Sequence, residues 1–284
     1  MNGFSAEEAG QLDLVNPFGA PVYYKHRLSS TMDAARNLAA EPHGTVICAG
    51  FQEAGRGRIR GRRWLGEAGD SLFFTILLRY GSFAAVPAAL PLRTGLAVSR
   101  AIEDFAPALA GLLLIKWPND VMIRLPEIPG AGSRPSGRVR KVAGILCESD
   151  GSTVFTGVGV NLLQSEFPGE LRDTAASLRM ALGGQVMDGG ARFGLLERIL
   201  GRLYGEFSGE SPWREGLEER LYMKGRPVRF IPGEADSGRL VEGRLVGIGA
   251  GGELLILPDG GGVLSFVNGE LMPGSNFTFS ERAP

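Results

Sequence analysis

Apolar and polar residues alternate between two periods along this chain. "TVICAGFQ" (45–52) and "SLFFTILLR" (71–79) are short, almost unbroken apolar runs, rich in β-branched and aromatic residues, and each predicts a buried strand. Across 88–104 the period lengthens, with apolar residues at Leu92, Leu96, Val98 and Ile102, which predicts a long helix. Earlier, "SSTMDAARNLAA" places Ser and Thr where a helix N-cap belongs, ahead of an alanine-rich run. Three more strands are expected at "LLLIKW", "DVMIR" and "KVAGILCES". A fourth, "TVFTGVGVNL", carries glycines where a ligand or a neighbouring backbone approaches closely. Helical patterns return over about 191–221, and residues 1–20 read as a poorly ordered lead-in.

Two changes of texture suggest the organisation. "LPEIPGAGSRPSGRVR", within 124–140, is full of Pro, Gly and Ser and predicts a long surface hairpin loop. From Gly225 onward, short runs such as "RPVRFI", "RLVEGRLVGIG", "GELLIL" and "GVLSFV" are separated by Gly and Pro turns, the signature of a small β-barrel. The expected division is a larger first domain over 1–222 and a small all-β domain over 223–284.

Composition narrows the function. With 284 residues, 44% of them hydrophobic, and a formal net charge of −1, the chain is no coat for nucleic acid. The basic stretch "FQEAGRGRIRGRRW" (51–64) is therefore a local feature: five arginines within eight positions, interleaved with Gly55, Gly57 and Gly61. Only Lys25, Lys116, Lys141 and Lys224 are lysines among 30 basic residues, so each is a candidate for work a forked guanidinium does poorly. Cys48 and Cys147 lie in apolar surroundings without metal-type spacing and read as buried thiols of a reducing compartment. The N-terminus is unlike a signal peptide, and the longest apolar stretch, Phe105 to Ile115, is too short to span a bilayer. A cytoplasmic protein with no membrane partner is expected.

Four segments carry candidate chemistry. In the arginine loop, glycines bring amide N–H groups close to an anion while Arg56, Arg58, Arg60, Arg62 and Arg63 offer forked contacts to phosphate or carboxylate. Trp64 is placed to stack on a base or cover a ligand; a solvated basic turn or a nucleic-acid contact would also account for the loop. In "KWPND" (116–120) turn chemistry explains Pro118 and Asn119, but Lys116 at the end of an apolar strand calls for a partner such as Asp120 or a ligand. Lys141 opens the strand that contains Gly144; it is either a site residue or an edge charge that discourages aggregation. Asn161 closes "GVGVNL" as a ligand contact or a turn cap. No nucleophile–base pair accompanies them, so the inventory suits two anions that must be neutralised and aligned.

In this order, "SSTMD" (29–33), "GRGRIRGRRW" (55–64), "KWPND" (116–120), "KVAGILCE" (141–148) and "GVGVNL" (157–162) resemble the motifs of the biotin–protein ligases, over about residues 25–270. The resemblance implies an α+β fold, a mixed β-sheet flanked by helices like that of class II synthetases, with a small C-terminal SH3-like β-barrel. It implies activation of biotin by ATP, with Mg²⁺, to biotinyl-5′-AMP, followed by transfer to one lysine of the biotin carboxyl carrier domain of acetyl-CoA carboxylase or a related carboxylase. By matched position, Ser30, Thr31, Gln52, Gly55 and Arg56 would meet biotin, with Gly57, Lys116 and Asn119 completing the binding set. Arg58 would contact the carboxylate–phosphate junction, Trp64 the adenine side, and Lys141 the carbonyl and α-phosphate oxygens. Asp120 would orient the incoming lysine or a metal, and Gly144 and Asn161 would line the pocket; no metal ligands are identified. Three departures stand out: two residues, Ile59 and Arg60, where the family has one; Met32 where it often has Asn, which shifts a polar role towards Asp33; and the long 124–140 insert. Too few residues precede the first motif for a winged helix-turn-helix, so no DNA-binding role is expected, and a homodimer is left open. The alternatives are a lipoate–protein ligase and a nucleic-acid-binding protein that uses the Arg/Gly loop.

Overall fold

The unbroken apolar runs are strands covered on both faces, which explains why they do not alternate. The computed structural model describes residues 4–6, 9–58, 64, 68–125, 139–185, 190–209, 211–233 and 240–273. Its first half forms strands β1 (Gly10–Gln11), β2 (Val22–Leu28), β3 (Val46–Gln52), β4 (Ser71–Arg79), β5 (Leu113–Lys116), β6 (Asp120–Arg124), β7 (Val139–Asp150) and β8 (Thr153–Asn161). They make one sheet in the order β1-β2-β3-β4-β8-β7-β6-β5. All neighbours are antiparallel except β2 and β3.

Helix α1 (Thr31–Asn37) covers one face, and α2 (Leu90–Phe105) packs with α4 (Ala191–Phe207) and α5 (Trp213–Arg220) on the other. The short α3 (Leu178–Ala181) follows β8. Along β4, Phe73 and Leu77 join the α1 cluster, whereas Leu72, Phe74, Ile76 and Leu78 join the larger core. Thr75 falls on the α1 side by the same alternation. A buried ion pair braces α2 to α4: Arg93 Nε lies 2.8 Å from Glu206 Oε1, and its Nη2 donates to the Glu206 carbonyl at 2.6 Å.

The lead-in expected over 1–20 is overturned for its described part from Ala9 onward. β1 pairs with β2, the Leu12 amide donates to the Val22 carbonyl at 2.8 Å, and Leu12, Leu14 and Phe18 pack against the core. The insert between β6 and β7 lies mostly outside the described residues.

A second, five-stranded antiparallel sheet follows: β9 (Pro227–Pro232), β10 (Val241–Ile248), β11 (Leu254–Leu257), β12 (Leu264–Phe266) and β13 (Gly269–Pro273), in the order β12-β11-β10-β9-β13. Its apolar residues, among them Val228, Phe230, Leu245 and Leu271, belong to the same continuous core as the first sheet. Trp117 joins the two: its Nε1 donates to the Gly252 carbonyl at 3.0 Å, and its ring centroid lies 5.7 Å from that of Phe230. Among the described residues, no helix is long and apolar enough to cross a membrane.

Candidate functional site

A cleft opens on the α1 face of the large sheet, between the start of α1, the end of β3 and the middle of β7 and β8. Its polar wall is a directed relay. Thr75 Oγ1 donates to Thr31 Oγ1 at 2.9 Å, and Thr31 Oγ1 and backbone N both donate to Gln52 Oε1, at 3.1 and 2.8 Å. With its oxygen occupied, Gln52 presents its amide N–H groups as donors, which suits a ligand carbonyl. Ser30 caps the helix beside it, its Oγ accepting from the Met32 amide at 3.2 Å.

The opposite wall is stripped of side chains. A Cβ on Gly159 would lie 3.0 Å from Trp64 Cε2 and Cζ2, and one on Gly144 would lie 2.8 Å from Trp64 Cζ3 and 2.9 Å from Lys141 Nζ. Only glycine lets the indole lie against the sheet here. The indole is set edge-on to Phe73 at 6.2 Å, and its buried Nε1 has no hydrogen-bond partner among the described residues.

Lys141 sits at the junction of these walls. Its Nζ is 2.6 Å from Asp120 Oδ1 and 5.4 Å from the Trp64 ring centroid. The ammonium has three N–H donors, so beside Asp120 it can also meet a ligand oxygen. The lysine backbone is held on both sides, its N donating to the Thr174 carbonyl and its O accepting from Ala176 N, each at 2.8 Å. Asp120 stands opposite Gly144 across β6 and β7, while Asn119 Nδ2 donates to the Ile145 carbonyl at 2.7 Å.

The arginine loop is tethered at its base and along its described part. Glu53 N and Ala54 N donate to the carbonyls of Leu28 and Ser29, and Trp64 N donates to Gly55 O at 3.0 Å. Arg56 makes a forked pair with Asp33, Nη1 to Oδ2 at 2.9 Å and Nη2 to Oδ1 at 2.6 Å. That hydrogen bonding raises the guanidinium pKa although burial opposes it. Arg58 Nη2 donates to the Gly269 carbonyl at 2.9 Å, so the loop also touches the second sheet. Ile59, Arg60, Gly61, Arg62 and Arg63, including the extra residue of the loop, lie outside the described residues.

Of the residues singled out in the sequence, Ser30, Thr31, Gln52, Arg56, Gly57, Arg58, Trp64, Asn119, Lys141 and Gly144 meet in the cleft wall. Asp120 joins through Lys141. Gly55, Lys116 and Asn161 stand outside the wall. Gly55 supplies the carbonyl that holds Trp64, Lys116 faces Asp120 across β5 and β6, and buried Asn161 donates its Nδ2 to the Ala176 carbonyl at 3.1 Å. Trp64, expected beside adenine, lies on Gly144 and Gly159 next to Lys141. Met32, Phe73, Thr75, Gly157 and Gly159 are wall residues that the sequence reading did not name as site residues. The hydroxyl in the middle of "SLFFTILLR" and the alternate glycines of "GVGVNL" were the available signals.

Neither cysteine is a nucleophile here. Burial pushes both thiols up to about 12, and Cys48 is wholly enclosed. Among the described residues no three His, Cys, Asp or Glu side chains converge as a metal site.

Residues 24–164 match the sequence model of the biotin/lipoate A/B protein ligase family. The chain is 33% identical over 227 residues to a biotin–[acetyl-CoA-carboxylase] ligase of Paracoccus denitrificans, covering 76% of this chain and 88% of the relative. It is 32% identical over 191 residues to the bifunctional ligase/repressor BirA of Bacillus subtilis, and spans only about half of that protein, 52% of its length. Among solved structures, a biotin protein ligase from Aquifex aeolicus in complex with biotin and ATP superposes with a TM-score of 0.68 at 27% identity, covering 88% of this chain and 97% of that one. A mutant of the same ligase in complex with biotin gives a TM-score of 0.71, also at 27% identity, covering 89% and 98% of the two chains.

Proposed function

The chain belongs to the biotin/lipoate A/B protein ligase family, and from that premise we propose that it is an ATP-dependent biotin–[biotin carboxyl carrier protein] ligase. In the first step an oxygen of biotin's carboxylate attacks the α-phosphorus of ATP. An O–P bond forms to AMP, and the bond from that phosphorus to pyrophosphate breaks. In the second step the neutral amine of a carrier lysine attacks the acyl carbon of biotinyl-5′-AMP, and AMP leaves.

The observation that carries this reading is the convergence of Lys141, Arg56 and Arg58 with the Thr31–Gln52 donor wall on one glycine-floored cleft. Two like charges about 4 Å apart repel by about 4 kcal/mol at an effective dielectric near 20, so cations in place beforehand lower the first barrier directly. Lys141, oriented by Asp120, has the role of meeting charge as it develops on the α-phosphate and acyl oxygens. Gln52 has that of holding the ureido carbonyl of biotin through its amide donors. Trp64, lying on the glycine floor, gives the cleft an apolar wall that keeps water from the adenylate. The second step needs no enzyme nucleophile because the mixed anhydride is already activated. That agrees with thiols pushed up to about 12. Mg²⁺ enters with the nucleotide substrate, whose phosphates supply most of its ligands.

The test is a mixture of protein, ATP, Mg²⁺ and a carboxylase carrier domain with either biotin or lipoate, read as intact carrier mass. One biotinyl group on one lysine is expected. A carrier that gains only lipoyl would move the substrate to the other branch of the family, and an unmodified carrier would remove the ligase reading.

A further inference from the structure

At the start of α1 the structure divides the work between Met32 and its neighbour. Met32 is buried and lines the cleft, whereas Asp33 turns outward and meets Arg56. On these contacts, and resting on the ligase reading above, we infer that Asp33 is a positioning residue that fixes the Arg56 guanidinium at the mouth of the cleft for the incoming biotin.

Both ends of the contact are set by the site itself. Asp33 lies in the first turn of α1, whose N-cap Ser30 and first residue Thr31 are cleft residues, so the carboxylate is in register with the donor wall. A negative charge there also suits the helix N-terminus. Arg56 follows Gly55, whose carbonyl accepts from Trp64 N at 3.0 Å. Beyond that bond an arginine side chain samples many rotamers unless something holds its plane. Two parallel bonds of 2.9 and 2.6 Å do so, because a carboxylate matches the guanidinium fork at both oxygens. Glu148, itself paired with Arg36 at 2.6 Å, adds a second negative field on Arg56 from β7.

Exposure decides what this pair is for. The two side chains are 44% and 45% exposed, and pairs in such settings add little to folding stability. Its loss should therefore appear in substrate binding more than in unfolding. Screening should weaken the pair as salt rises, which gives a signature that packing alone lacks.

The experiment compares wild type with Asp33→Asn and Asp33→Glu by steady-state biotin transfer at low and high salt, alongside thermal unfolding. Asp33→Asn is expected to raise the KM for biotin by roughly tenfold, with kcat within about twofold and Tm unchanged. The wild-type KM should rise with salt more steeply than the Asn variant's, and Asp33→Glu should recover most of the loss. If wild type transfers biotin and Asp33→Asn matches it in KM and salt response, the inference fails alone. If Tm falls in step with activity in both variants, Asp33 is a folding residue and the inference also fails. A wild-type protein that transfers no biotin overturns the ligase reading, and this inference with it.

Discussion

Gly159→Ala adds one methyl group to the floor of the cleft, and the structure says what must move. The new Cβ would stand 3.0 Å from Trp64 Cε2 and Cζ2 and 3.2 Å from Cδ2. Carbon atoms prefer about 3.5–4.0 Å, so the indole has to recede by roughly 0.5–1 Å. The strand cannot yield instead: Gly159 is paired with Phe73 on one side and Gly144 on the other, in the interior of the sheet. The contact is with the face of a side chain carried by a loop, so the displacement falls on Trp64. The fold cost should therefore stay below the ~1–3 kcal/mol of overpacking in a closed core. The binding cost should be larger, since a displacement near 1 Å in a positioned site costs on the order of 10²-fold. Titration calorimetry with biotin and thermal unfolding read the two effects separately. Gly201→Ala is the control: nothing lies within 4 Å of its Cβ, it sits within α4, and it should stabilise by about 0.5–1 kcal/mol without touching affinity. Wild-type biotin affinity in Gly159→Ala would refute the reasoning, because it would mean that the Trp64 indole does not form a wall of the biotin site.

Three further outcomes follow from contacts already described. Thr75→Val removes the first donor of the relay to Thr31 and Gln52, so biotin binding should weaken about tenfold and urea unfolding should show a loss of about 1 kcal/mol. Arg93→Met leaves the Glu206 carboxylate buried beside α2 without its cation, and urea unfolding should show a loss of about 3–5 kcal/mol that Glu206→Leu largely reverses. Because burial disfavours the thiolate and pushes both cysteines up to about 12, only about one thiol in 10⁴ is ionised at pH 8. Buried Cys48 should then resist iodoacetamide at that pH in the native protein while unfolded protein takes up two equivalents; rapid native alkylation of Cys48 would contradict its burial.

The sequence was most legible where one physical cause dominates. β4 is bounded by the very run "SLFFTILLR", and β8 by "TVFTGVGVN", because strands buried on both faces leave no polar interruption. β2 went unread because "VYYKHRL" interrupts its apolar residues with Lys25, His26 and Arg27. Its pairing with β1 and β3 makes it a strand, which is a tertiary effect. At the site, Lys141, Gly144, Gln52 and Thr31 from separate motifs line one cleft, since each sits at a fixed place on a strand or helix start. Asn161 belongs to the same pattern but hydrogen-bonds the chain at Ala176, and local sequence cannot separate a ligand contact from such a tie. The reach of Arg58 to Gly269, 211 residues away, could not be read from either segment alone. It also changes the meaning of the arginine loop. Two guanidiniums that looked like a footprint for a polyanion are engaged within the molecule, at Asp33 and at Gly269.

Pyrophosphate release tests most directly whether the cations of this cleft adenylate biotin. Wild type and Lys141→Ala should be compared with ATP and Mg²⁺, with and without biotin, while biotin affinity is measured in parallel. Release should depend on biotin in the wild type and fall by on the order of 10²–10³-fold in Lys141→Ala, with the biotin Kd within a few fold. Undiminished release by Lys141→Ala, or release by wild type that does not depend on biotin, would contradict the account.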